Sequence, residues 1–256
     1  MNFIIILGID TTTKTSSVAL AEADFAVSRG TVKILSEINS GGNIPHSENL
    51  CPMVDRVLAT AGLNLSEVNI FAVSVGPGSF TGIRIGVSLV KGLAYGSEIN
   101  CIGISSLHAL AYNFDGYISA NAKKIFISSV IDARRKQVYN AIFELSRNGE
   151  IAHIKNDRII TLAELETELN GDDIFADSDI IFVGDGADMC CNEIKLDTAN
   201  KIRASDILCQ PNAASVCRLA ASELKRGIET VHPRILSPSY LIKTQAENEL
   251  DKNKLD

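Results

Sequence analysis

Two apolar runs, each ending abruptly, constrain this chain most. Residues 3–9 read Phe-Ile-Ile-Ile-Leu-Gly-Ile and stop at Asp10, and residues 70–75 read Ile-Phe-Ala-Val-Ser-Val and stop at Gly76-Pro77-Gly78-Ser79-Phe80-Thr81. Neither run alternates apolar with polar residues, so each is expected as a strand covered on both faces. The first strand delivers a carboxylate at its C-terminal end.

The residues between and after these runs supply the rest of one lobe. A polar turn at 11–15 leads to a second strand at 16–21, and a third at 32–36 completes a meander. A helix over 47–61 places Leu50, Val54, Val57, Leu58 and Ala61 on one face, with Pro52 in its first turn or kinking it. The glycine loop opens a helix over 82–95, capped by Ser79 or Thr81, then a fifth strand at 100–104, and Ser105 starts a short helix. Three strands, helix, strand, helix, strand, helix is the order of a ribonuclease-H-like lobe.

The second half restarts with a similar rhythm. Strands are expected at 124–132, 137–145 and 150–154, the last across an Asn148-Gly149 turn. Thr161-Leu162-Ala163-Glu164 is a capping box, 179–183 a further strand, and 212–226 a helix closed by Gly227. The expectation is an α/β chain with a first lobe at 1–107, a related but degenerate lobe at 108–228, and an extension at 229–256 whose charged end, from Lys243, is mobile.

Composition narrows the function classes. With 256 residues and 46% hydrophobic content the chain can bury a large core; its longest N-terminal apolar run, residues 3–7, is far too short for a membrane span, and no basic region precedes it as a signal peptide requires, so the cytoplasm is expected. The six cysteines lack CxxC spacing and are expected to be reduced and structural. A net charge of −7, with Arg134-Arg135-Lys136 as the densest basic cluster, disfavours an extended nucleic-acid footprint. If RNA is involved, another subunit carries most of the contact.

The segment Gly76-Pro77-Gly78-Ser79-Phe80-Thr81-Gly82-Ile83-Arg84-Ile85-Gly86 resembles, over its whole length, the signature of the TsaB (YeaZ) family, bacterial paralogues of the TsaD threonylcarbamoyl transferase in the actin, Hsp70 and sugar-kinase superfamily. Asp10-Thr11-Thr12-Thr13, His46-Ser47-Glu48 with Pro52, Asp132-Ala133-Arg134 leading to Val138-Tyr139, and Pro238-Ser239-Tyr240-Leu241 match as well. Thr12 for serine, Gln137 for glutamate and Ile242 for arginine depart from it. The resemblance implies an actin-like ATPase fold and a non-catalytic scaffold that pairs with TsaD, helps recruit the TsaE ATPase, and is needed for threonylcarbamoylation of adenosine 37 in tRNAs reading codons that begin with adenine. It implies ATP and Mg used by the complex, none held tightly by this chain, and tRNA engaged through the complex. A homodimer of the isolated chain stays open.

The residues carry their own chemistry. Asp10 with Thr11, Thr12 and Thr13 has the form of a relic phosphate hairpin, where a carboxylate could orient hydrated Mg2+, or of an Asp bonding a tight turn. Gly184-Asp185-Gly186 reads as a relic second phosphate loop, and with Gly227 the only glycine after Ser205 no adenosine loop is found. The Gly76 loop could bind an anion at a helix N-terminus, but turn chemistry favours a tight strand-to-helix crossing. The catalytic paralogue uses a His-x-x-x-His pair, and the aligned region here has only His108, while His46, His153 and His232 lie far apart. No metal and no catalytic set is expected, against a glycoprotease-like metalloenzyme. The alternative function is a small-molecule kinase or ATPase of the same superfold, favoured by Asp10.

On the helix over 82–95, Arg84, Ser88, Lys91 and Tyr95 form one narrow polar stripe, and every other direction is apolar or small. Gly82 and Gly86 would admit another helix closely, with Ile83, Val87, Val90 and Ala94 as an adjoining strip and Val54 and Leu58 on the neighbouring helix. These eight residues are the expected partner interface.

Overall fold

The end-on apolar runs become the central strands. In the computed structural model, which describes residues 3–26, 31–41, 45–97, 99–117 and 123–241, β1 (Phe3–Asp10) lies between β2 (Ser16–Asp24) and β4 (Ile70–Gly76). β3 (Thr31–Ser40) and β5 (Asn100–Ser105) complete a sheet of order β3-β2-β1-β4-β5, with β1 antiparallel to β2 and parallel to β4. Two helices cover its outer face, α1 (His46–Ala61) and α2 (Phe80–Leu93). There Leu7, Ile9, Phe71 and Val73 pack with Val54 and Val57 of α1 and Ile83, Val87 and Val90 of α2.

β5 leads into α3 (Ser106–Ala111), and the pattern then repeats. β6 (Ile125–Arg134), β7 (Gln137–Leu145) and β8 (Ile151–Thr161) form a meander, followed by α4 (Leu162–Gly171), β9 (Asp179–Val183), α5 (Ala187–Glu193) and β10 (Asn200–Arg203). The sheet order β8-β7-β6-β9-β10 reproduces that of the first sheet strand for strand. The second lobe keeps all five strands; its reduction falls on α5, 7 residues against 14 in α2, and on the 4-residue β10. β10 escaped the sequence reading because all four residues are exposed and no apolar rhythm marks them. β8 runs to Thr161 rather than ending at 154, because Arg158 closes its far half on Glu168 of α4 (2.6 Å) and on Asn140 of β7 (3.0 Å).

The last helices tie the lobes together. After the short α6 (Asp206–Cys209), α7 (Ala213–Lys225) packs on β1 and β2 of the first sheet, although it follows the second in sequence. Gly8 is required by that crossing: a Cβ there would lie 2.5 Å from Cys217 Sγ and 2.7 Å from the Ala213 carbonyl. α3 packs against β6 and α7, so one apolar cluster runs from Ile6, Ala21 and Ile104 of the first sheet through α3 and α7 to Ile127 and Phe143 of the second. The extension then returns to the first lobe, where Val231 bridges Cys101 and Leu236 enters the outer core. The tail from Lys243, and Ile242, lie outside the described residues. No described helix is long and apolar enough to cross a membrane.

Candidate functional site

β1 ends with Asp10 inside the protein, 1% exposed. Its Oδ1 accepts hydrogen bonds from the Thr12 N–H (2.9 Å) and the Thr12 hydroxyl (2.8 Å). Oδ2 is buried without a well-formed bond, as is the Ser74 hydroxyl that helps to stabilise the charged form. Burial pushes the Asp10 pKa up, against the opposing pull of Ser74, of the two Thr12 donors and of His46.

The four hairpin residues come together, but as a closed turn. The Thr11 hydroxyl donates to the Gly82 carbonyl (2.7 Å), Thr13 Oγ1 accepts from the Thr15 N–H (3.3 Å), and the Ser79 N–H donates to the Thr12 carbonyl (2.7 Å). His46, the first residue of α1, donates from Nε2 to the Thr13 carbonyl (3.0 Å), so its Nδ1 is left to accept from Ser16. The glycine loop presses on this turn from below: Cβ atoms on Gly78 and Gly82 would come within 2.6 Å of the Thr12 carbonyl and 2.0 Å of the Thr11 carbonyl. The loop is a tight crossing, with Ser79 Oγ capping α2 at the Gly82 N–H (3.2 Å). Asp10, Thr11 and Thr12 are buried, and the Thr11 hydroxyl and both Thr12 donors are spent inside the chain, so these groups as folded are not free to hold a triphosphate with its Mg2+.

The repeated topology also corrects the expected second phosphate loop. Gly184-Asp185-Gly186 follows β9, so its counterpart is the Gly76-Pro77-Gly78 loop after β4; the counterpart of the Asp10 hairpin is the β6–β7 turn with Asp132 at its start. That turn runs through Arg134, Arg135 and Lys136, all at positive φ, and the Arg134 N–H donates to Asp132 (2.7 Å) as Thr12 does to Asp10. Asp185 Oδ1 accepts from the Asp132 N–H (2.9 Å), and burial followed by the Asp132 charge raises its pKa, with Lys14 of the first hairpin opposing. The N-terminus of α7 is closed as well: Ser17 Oγ accepts from the Ala213 N–H (2.7 Å), Asn212 Oδ1 from the Ser215 N–H (2.7 Å), and Thr15 reaches Gln210 (3.1 Å).

Sequence distance hid a second cluster. His108 and His153, 45 positions apart, meet with 3.2 Å between Nδ1 and Nε2, and His108 stacks on Phe143 at 4.9 Å. Asp157 bears on His153 and accepts from Ser105 (2.6 Å), the residue that caps α3. His108 is therefore a core residue, its pKa pushed down to about 3 by burial and then by His153 and Arg226. Among the described residues no group of three or more His, Cys, Asp or Glu is arranged to hold a metal ion, and the six cysteines are free.

The expected partner interface needs correction. Gly82, Ile83, Gly86, Val87, Val90, Ala94, Val54 and Leu58 are all buried in this chain's own first lobe. The glycine face of α2 lies on the Thr11 turn rather than on a foreign helix, and the apolar strip lies on the sheet and α1. What α2 shows outward is Arg84, Ser88 and Gly92, with Tyr95 exposed just past its end and Ile85 and Leu89 half-buried beside them, and α1 shows Cys51, Pro52 and Asp55.

The family model described as TsaD, tRNA N6-adenosine threonylcarbamoyltransferase, matches residues 36–250. The chain is 38% identical to the tRNA threonylcarbamoyladenosine biosynthesis protein TsaB of Escherichia coli (strain K12) over 56% of its own length. That match spans little more than half of the relative, 57%. Identity to the TsaB of Buchnera aphidicola subsp. Schizaphis graminum (strain Sg) is 29% over 91% of the chain and 98% of the relative. The solved structure of YeaZ from Pseudomonas aeruginosa superposes with a TM-score of 0.72 at 26% identity, covering 93% of this chain and 100% of that one. With the signature loop, the duplicated five-stranded sheets and a family match over most of its length, this chain belongs to the TsaD family, on its TsaB (YeaZ) branch.

Proposed function

We propose that the chain acts in threonylcarbamoyladenosine biosynthesis on tRNA as a cytoplasmic, non-catalytic scaffold that pairs with the TsaD-type transferase and helps recruit the TsaE-type ATPase. The observation that carries this reading is the closed hairpin: a fold whose relatives include a transferase is kept, while Asp10, Thr11 and Thr12 are buried and bonded within the chain. Tight nucleotide binding would require opening contacts that hold β1, α2 and α7 together. ATP and Mg belong, on this reading, to the assembled complex, and tRNA is engaged through it. Pairing uses the outward faces of α1 and α2.

The test is reconstitution. Purified chain, alone and with the paralogous transferase and ATPase of the same genome, is supplied with an activated threonylcarbamoyl donor and assayed for threonylcarbamoylation of tRNA and for retained nucleotide. Activity that needs all three proteins, with substoichiometric nucleotide on the chain alone, supports the scaffold. Asp10 at a strand end favours the kinase or ATPase reading, and Mg-ATP turnover by the isolated chain that is lost in Asp10→Ala would establish it instead.

A further inference from the structure

Arg84 is held in one conformation on the surface. Its guanidinium carbon lies 3.8 Å from the centre of the Phe80 ring and 5.8 Å from that of Tyr240, and the two rings are 5.2 Å apart. Nε donates to the Tyr240 hydroxyl at 2.8 Å. Tyr240 is fixed in turn, because the neighbouring Ser239 N–H donates to the Val75 carbonyl at 2.8 Å and the Ser239 carbonyl sits where a Cβ on Gly76 would be, 2.6 Å away. That hydrogen bond uses one donor of the fork; Nη1 and Nη2 have no carboxylate or carbonyl partner among the described residues. Phe80, 43% exposed, keeps the same patch partly apolar.

We infer that Arg84 is a preformed anchor for a carboxylate of a protein partner at the start of α2. A planar fork fixed by stacking matches a carboxylate in two-point fashion and has little freedom left to lose on binding. A lone arginine framed by aromatic rings is also the composition of a protein interface centre. An RNA footprint would need several cations to neutralise phosphates, whereas on this stripe of α2 the described residues add Lys91 alone, two turns on and half-buried, on a chain of net charge −7. The anchor adjoins the outward face of α2, where Ile85 and Leu89 lie half-buried, so the partner it fits is the protein that covers that face. The inference rests on the proposed pairing with the transferase paralogue.

Titration of the full chain into the purified paralogue from the same genome tests both readings separately. Arg84→Gln should raise Kd at least about tenfold while its melting temperature stays at the wild-type value. Arg84→Lys should recover only part of the loss, since it restores the charge without the fork. One Asp or Glu of the paralogue, replaced by Ala, should show an effect that does not add to that of Arg84→Gln. Wild-type chain that fails to bind the paralogue removes the pairing and this inference with it. Binding with equal Kd in all Arg84 variants overturns the anchor and leaves the pairing standing. An Arg84→Gln chain that binds the paralogue normally but whose complex loses affinity for tRNA makes the site a phosphate site and overturns the carboxylate.

Discussion

Asp10 and His108 are ionisable side chains sealed in the interior, and burial moves their pKa values in opposite directions, up for the acid and down for the base. For Asp10 the neutral form is the one the fold prefers, so its contribution is complete below the unfolded carboxylate pKa of about 3.9 and is lost as pH rises through the raised folded value. Asparagine keeps the acceptor for Thr12, offers an N–H toward Ser74 and never ionises. Asp10→Asn is therefore expected to melt a few degrees above wild type at pH 7 to 8 and to lose that advantage near pH 4, measured by thermal scans across pH; an Asn variant less stable at both ends would show that the charge is stabilised in the fold. His108 works the other way. The unfolded chain takes up its proton near pH 6.5 and the folded chain only near 3, so stability drops on acidification by up to about 1.4 kcal/mol per pH unit in that window. His108→Phe, on the same stacking face of Phe143, should flatten the acid limb of the stability profile, and an unchanged limb would assign it to other groups.

At the scale of elements, α2 separates what the sequence could say from what it could not. Its period revealed that more than one side is apolar, and the two glycines one turn apart revealed a close approach. The identity of the neighbour was invisible, because it is the backbone of Thr11, some seventy residues away in the chain and brought there by sheet pairing. The same reason hid the His108–His153 contact, and the exposed β10 lacked any apolar pattern to show it, whereas both buried strands, the capping box at Thr161 and the restart after residue 123 followed from local rules. The corrected face makes a paired prediction. Val90→Glu puts an unpaired charge into a position with 0% exposure and should cost several kcal/mol, leaving the isolated chain unfolded in circular dichroism. Leu89→Glu, one residue earlier, alters a half-buried side chain at the edge of the outer core: the chain should still unfold cooperatively, at a modestly lower temperature, yet fail to co-elute with the transferase paralogue. Normal co-elution of folded Leu89→Glu would move the interface off α2. Gly82→Ala should also be strongly destabilising, by about 2 kcal/mol or more, because no rotation can move its Cβ off the Thr11 carbonyl.

For the whole molecule, the two lobes repeat one topology but do not have two cores. α7 crosses from the second sheet to lie on β1 and β2, α3 crosses the other way to β6, and the apolar cluster is continuous through both. The first sheet without α7 would expose Ile6, Ala19, Ala21 and Ala72 on its inner face, and Gly8 would present a groove shaped for Cys217 and nothing else in its own half. Two lobes that complete each other in this way lose their stabilising contacts together, so differential scanning calorimetry should give a single transition with calorimetric and van't Hoff enthalpies equal. Ser17→Ala tests the coupling. The serine belongs to β2 in the first lobe, yet its hydroxyl accepts the Ala213 N–H at the head of α7, so losing it should cost about 1 kcal/mol and move the one transition down by roughly 2–4 °C without splitting it. Two resolved transitions, with only the first shifted by Ser17→Ala, would mean that each lobe folds on its own sheet and that α7 is a clasp between finished halves.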